Sequence, residues 1–229
     1  TVASTVKEIA PYSFASTGVT DVNLPSGLET IGDRAFYNAT KLVDITIPDS
    51  VKTIGTGAFK NCSKMTKATL PEGLETIPQE CFSGCKKLES VNIPDSVTKI
   101  SYGAFTNCAL KEINISKNLT VISIPGYTFA GCPAAVTVDA DNPSYSADSL
   151  GALYNKDKSL LLHCPNFEKA FTFDISCGIE QYAFSSCSNL TDVTFSFAIK
   201  KIPFGAFRNC SSLKITTVPD RSEERRVGK

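Results

Sequence analysis

Three groups of residues have types and spacings that could do chemistry. His163 is the only histidine in 229 residues and is followed directly by Cys164, the combination a thiol nucleophile and an imidazole base require. Neighbours on a strand point to opposite faces, so on a strand the two could not share a proton. A histidine on the surface of a hairpin is the expectation. Cys81 and Cys85 have the i, i+4 spacing of two thiolate ligands, but a structural zinc takes four ligands and no second pair has finger spacing. Asp139, Asp141, Asn142 and Asp148 share part of the composition of a calcium loop. Pro143 then stands at its fifth position, Ser144 where the glycine belongs, and Leu150 where a bidentate glutamate is needed. No phosphate-cradling glycine loop, nucleophile elbow or dinucleotide fingerprint occurs. The expectation is a chain that is not an enzyme, with no catalytic residue, no metal and no cofactor.

Charge removes a further class of partner. Lysine plus arginine equals aspartate plus glutamate at 23 each, so no net field draws in nucleic acid, and no nucleic-acid partner is expected. No apolar run approaches the roughly 20 residues of a membrane span, and none is expected here.

What positions these residues is a repeat. Phe14, Phe36, Phe59, Phe82, Phe105, Phe129, Phe184 and Phe207 follow at steps of 22, 23, 23, 23, 24, 55 and 23. Cys62, Cys85, Cys108, Cys132, Cys187 and Cys210 each stand three residues after a phenylalanine. One unit reads Leu42, Ile45, Ile47, Pro48, Val51, Ile54, Ala58, Phe59, Cys62, with polar residues nearly everywhere between. Ile45-Thr46-Ile47 alternates with period two, which gives a short strand with Thr46 outward, and Pro48 ends it because it has no N–H for a ladder. Val51, Ile54, Ala58 and Phe59 suit a bend and one helical or 3₁₀ turn on the far side. Cys81 and Cys85 then fall on core slots, as buried thiols behaving like small hydrophobes. Asn and Gly interchange at Asn61, Gly84, Asn107 and Gly131, which marks a left-handed or turn conformation. No such unit buries its apolar face alone, so the units must stack into a solenoid.

Ile47-Pro48-Asp49-Ser50-Val51, Ile54-Gly55 and Ala58-Phe59-Lys60-Asn61-Cys62 resemble the BspA-like class of leucine-rich repeats, over about residues 5 to 218. The resemblance implies an α/β fold, a right-handed leucine-rich-repeat solenoid with short parallel strands on its concave face and turns or short helical segments on its convex face. We expect a single domain over 1–218, a β-hairpin segment inserted at 139–170 and a mobile tail at 219–229. The family's members are surface proteins of gut and oral bacteria and some mucosal protozoa. The implied function is a non-catalytic extracellular or cell-surface binding and adhesion module for a protein or glycan. The alternative is an architectural spacer that projects another domain.

The outward strand residues are the candidate binding site: Asn23, Thr46, Thr69, Asn92, Asn114 and Thr194, with Thr137 and Thr172 in the same row. None carries a charge. Two readings stand for them, a self-bonded ladder that holds the register and a polar groove that meets a partner. The core is expected to be indifferent to what Thr46, Thr69, Asn92 and Asn114 carry. A second stripe, Asp21, Asp44, Lys67, Ser90, Glu112 and Asp192, is more varied and acidic on balance.

Overall fold

The computed structural model describes residues 2–195 and 201–216; the expected tail at 219–229 lies outside them. In Asp44–Thr46, Lys67–Thr69 and Ser90–Asn92 the central residue turns inward and its neighbours outward, as alternation along extended backbone requires. The three strands pair in parallel with Ile45, Ala68 and Val91 in register. The carbonyls of Pro48, Pro71 and Pro94 then accept from the N–H three residues on, and the chain turns. On the same side of the unit, Glu112–Ile115 pairs with Ala135–Val138, and Phe171–Ile175 with Leu190–Phe195 and then Ile215–Thr216. This first ladder is therefore three separate parallel sheets, and its strands Ser90–Asn92 and Glu112–Ile115 do not pair.

The far side differs from the expected helical turn, because the units up to Val121–Ile122 carry a second strand there. Thr53–Ile54 pairs with Thr30–Ile31, which pairs with Glu8–Ile9. Thr76–Ile77, Lys99–Ile100 and Val121–Ile122 make another three-stranded sheet, with a gap between Thr53–Ile54 and Thr76–Ile77. Thr53 is exposed and Ile54 buried, and the next residue crosses closely over the preceding turn. A Cβ on Gly55 would lie 2.3 Å from the Asp33 nitrogen. Helix among the described residues is confined to Pro125–Thr128. The expected α/β description gives way to a β-solenoid of stacked parallel strands.

A third strip of contacts closes each unit. Gly57 and Asn61 have φ of 60° and 63°, and the N–H groups of Gly57, Phe59 and Asn61 donate to the carbonyls of Gln79, Cys81 and Ser83 of the next unit at 2.8 to 2.9 Å. The interchange of Asn and Gly has this cause. Asn61, Gly84, Asn107 and Gly131 all have φ between 57° and 77°, where asparagine is among the least strained side chains.

Inside, the phenylalanines stack. Phe14, Phe36, Phe59, Phe82, Phe105 and Phe129 have successive ring centroids 5.0, 5.3, 5.5, 5.7 and 6.2 Å apart and nearly parallel planes. The repeat cysteines serve the same column. The thiols of Cys62, Cys85, Cys108 and Cys132 donate to the carbonyls of Phe36, Phe59, Phe82 and Phe105 in the unit before, at 3.0 to 3.1 Å.

The hairpin interrupts the stack as expected, with Leu153–Asn155 antiparallel to Leu160–His163. A third strand not foreseen, Tyr145–Ala147, pairs with Leu153–Asn155. Leu160–His163 pairs in parallel with Gly178–Ile179 and so carries the chain onward. The buried apolar residues divide here. Leu153 and Leu162 pack with the turns before the hairpin, and Ala152, Leu161 and Cys164 with those after it.

His163 is not on the surface. It is buried, and its ring lies tilted, 5.5 Å from that of Phe129. Its Nε2 has no hydrogen-bond partner. Cys164 packs into the other core cluster, so the two form no dyad. In the backbone bonding of this turn Cys164 takes the place of a phenylalanine: its N–H donates to the Ala183 carbonyl and its carbonyl accepts from the Cys187 thiol.

Two expectations follow from this core. Phe82→Ala should cost about 3 to 5 kcal/mol, because it leaves a cavity between two neighbours. Phe14→Ala should cost less, since Phe14 is only partly buried and stacks on Phe36 alone; equal losses in denaturant unfolding would count against nearest-neighbour stacking. Burial holds the His163 imidazole down to about 3, below its ordinary value. The neutral form is thus favoured on folding, and the associated stability is complete above about pH 6.5 and is lost as pH falls towards 3. Between pH 7 and pH 4 the melting temperature of the native chain should fall by more than that of His163→Leu. Parallel declines would remove His163 as the cause.

Candidate binding surface

The structure brings the candidate residues together in groups. Thr46, Thr69 and Asn92 are direct neighbours in register. Asn114 faces Thr137, and the Thr137 hydroxyl donates to the Asn114 carboxamide oxygen. Asn23 is exposed and lies outside any strand, yet it shares an open groove with Thr46, between Asp21, Asp44 and Pro48.

Thr194 differs from expectation in its neighbour. A register shift at Phe171/Thr172 puts Thr172 opposite Asp192 and Asp174 opposite Thr194, and Thr194 donates to the Asp174 carboxylate at 3.1 Å. The cause is that Phe173 and Ile175 are the two inward residues, so Asp174 between them takes the outward slot. The row is therefore not free of charge, and Thr172 belongs to the flanking stripe.

Asn92 is not indifferent to the fold. The Leu70 N–H donates to the Asn92 carboxamide oxygen at 2.8 Å, and the Asn92 amide donates to the Leu70 carbonyl at 3.4 Å. The side chain thus extends the pairing of Lys67–Thr69 with Ser90–Asn92 by two bonds, while on its other side Ser90–Asn92 parts from Glu112–Ile115 at a seam. A sequence signal for that seam exists. Cys108 and Leu110 are two residues apart where Cys85 and Leu88 are three, so the strand after Cys108 starts early. The seam opens a groove lined by Asp95, Asn114, Ser116, Thr137 and Asp139.

Acidic side chains thus border both grooves. In the flanking stripe Asp44 faces Lys67, and Lys67 faces Ser90. Asp44 also accepts from the Thr66 hydroxyl at 2.7 Å. The face as a whole offers neutral hydroxyls and amides along its centre with carboxylates at the margins.

The other candidates are accounted for by the fold. Cys81 and Cys85 are buried, and burial raises both thiols, away from the thiolate a metal requires. All nine cysteines are free. In the acidic loop, Asn142 is buried and donates to the carbonyls of Ser116 and Leu119 at 2.7 and 2.9 Å, while its oxygen accepts from the Ser144 and Tyr145 amides. Asp139 accepts from the Asp141 amide. Asp148 belongs to the hairpin, where it accepts from Leu150, Ala152 and the Tyr154 hydroxyl, and burial together with Asp148 raises that tyrosine. The Lys156 ammonium donates to the carbonyls of Ala140 and Asn142 at 3.1 and 2.5 Å. Lys156, chain amides and the Tyr154 hydroxyl thus occupy oxygens of this loop.

The geometry agrees with known proteins. A sequence profile for the BspA type leucine rich repeat region matches six copies over residues 7–136 and 157–226. No curated protein matches the chain. A leucine rich cell surface protein of Faecalibacterium prausnitzii is 25% identical, with a TM-score of 0.64 over 96% of this chain and 85% of that one. The pneumococcal vaccine antigen PcpA has the same TM-score at 23% identity, over 94% of this chain. The chain spans about half of that antigen, 49% of its length. A leucine-rich repeat protein of Bacteroides ovatus is 22% identical with a TM-score of 0.51. With six matching copies covering most of its length, the chain belongs to the BspA-type leucine-rich repeat family.

Proposed function

We propose that this protein is a non-catalytic binding and adhesion module, which engages a protein or glycan from the cell surface through the face bearing Asn23, Thr46, Thr69, Asn92, Asn114 and Thr194. The observation that carries the reading is the row of neutral polar side chains Thr46, Thr69 and Asn92 in register, flanked by two open grooves at Asn23/Thr46 and Asn114/Thr137. A stack of turns devotes its sequence to extended surface, and extended surface suits an extended partner. The description of the Faecalibacterium neighbour as a cell surface protein supports the location. Residues 1–218 act in this reading as one domain, with the hairpin segment 139–170 as an internal layer.

One observation favours the spacer instead. Asn92, Asn114 and Thr194 spend hydrogen bonds on their own fold, as a ladder that only keeps register would. Thr46 and Thr69 separate the readings. Thr46→Lys combined with Thr69→Glu sets opposite charges on facing positions, which a sheet tolerates, and fills the centre of the face with long side chains. The variant should keep its melting temperature within a few degrees while its adhesion to immobilised matrix proteins and mucin glycans falls about tenfold or more. Full adhesion by a folded variant would leave the spacer.

A further inference from the structure

The strip of positive-φ turns carries a feature that neither the strands nor the repeat explains. Two residues before every column phenylalanine but Phe129 the backbone is left-handed, and Gly57, Gly103 and Gly205 occupy that slot with φ of 60° to 67°. Glycine fits there without strain. Yet the same slot holds Tyr12, Arg34, Glu80 and Tyr182 at φ of 52° to 61°, where a bulky side chain costs roughly 1 to 2 kcal/mol. Bulky residues kept at such a backbone point to a use for their side chains.

Arg34 shows what the use is. Its Nη1 donates to the Tyr12 hydroxyl at 2.6 Å, and its guanidinium carbon lies 5.8 Å from the Tyr12 ring centre and 6.0 Å from that of Tyr37. Two rings on neighbouring turns thus hold an exposed guanidinium in one place. Among the described residues Arg34 makes no salt bridge, whereas Lys7, Lys60 and Lys111 each have a glutamate. Beside it the chain leaves room. A Cβ at Gly57, one turn on, would come to 3.5 Å from the Arg34 stem and 3.6 Å from that of Lys60, so glycine opens a notch between them. Further along the strip Asn38 reaches towards the Ser16 hydroxyl at 3.4 Å, adding neutral polar groups.

We propose that Tyr12, Arg34, Tyr37 and the Gly57 notch form a binding site for a sugar that bears a carboxylate. A fixed guanidinium presents parallel N–H donors to a carboxylate. Tyr12, 52% exposed, offers an amphipathic ring to the C–H face of the sugar. The surrounding charges distinguish this ligand from an acidic peptide, which is read by clusters of cations. Here there is one available cation. Lys60 is paired with Glu80 at 2.7 Å, and Asp33, whose carboxylate accepts from the Thr56 amide, adds a second negative charge nearby. Additional carboxylates on a ligand would be repelled, so the chemistry suits one acid group among hydroxyls.

The site lies on the turn strip and not on the strand face, so its test is independent of the reading above. The purified chain is titrated with sialyllactose, with a short oligogalacturonate and with neutral lactose, following binding by calorimetry and by the NMR signals of the Arg34 guanidinium. The expected result is saturable binding of at least one carboxylated sugar, with sialyllactose and the uronate arm separating a terminal from a backbone acid. Lactose should bind at least tenfold more weakly. Arg34→Gln should weaken binding about tenfold or more, and Arg34→Lys should recover little, because lysine lacks the planar fork. Arg34 is exposed, and unchanged circular dichroism checks the fold. The proposal is overturned by the absence of binding to either acidic sugar, by equal binding of lactose, by full binding in Arg34→Gln, or by tighter binding of a tetraglutamate peptide than of the sugars.

Discussion

Every other feature depends on turns of chain held at one distance from their neighbours. A turn of about 23 residues encloses too little to fold by itself, and its phenylalanine is buried only because another ring lies above and below it. The thiol-to-carbonyl bonds from Cys62, Cys85, Cys108 and Cys132 and the amide bonds of the positive-φ strip fix that distance. The hydrophobic gain of stacking and the polar bonding of the backbone are thus satisfied by the same spacing. Where the spacing is disturbed, as at the hairpin, the protein divides its core between two clusters.

The repeat, its core slots and the hairpin were legible in the sequence, because burial in a stack leaves the same apolar type at the same step. The Asn61/Gly84 interchange was legible for a different reason, since only a few residues tolerate a left-handed backbone. The second strand at Thr53–Ile54 was not anticipated, since two residues are too short to show a period, and the inward Ile54 fits a helical turn equally well. Thr172 was misplaced because Phe171-Thr172-Phe173 and Phe173-Asp174-Ile175 both alternate, and only packing decides which apolar pair faces in.

The candidate face was legible as a set of positions but not as a set of roles. Thr46 and Asn92 occupy the same slot, yet one is exposed at the surface and the other bonds to the Leu70 backbone of the preceding turn. A side chain's bond to a turn one unit away leaves no mark in the spacing of the repeat. Arg34 was invisible for a related reason: its meaning lies in Tyr12, a full turn away, and in the backbone it occupies.

The interruptions of the two ladders are staggered. The second ladder is open between Thr53–Ile54 and Thr76–Ile77, where the first is closed by Asp44–Thr46 on Lys67–Thr69. The first is open between Ser90–Asn92 and Glu112–Ile115, where the second is closed by Lys99–Ile100 on Val121–Ile122 and the Phe105 amide still reaches the Thr128 carbonyl. As in bonded masonry, neither of these joints runs through the whole wall. A pull along the axis therefore meets at least one intact row of backbone bonds at each of these two seams, and the load is shared between the two sides of the stack.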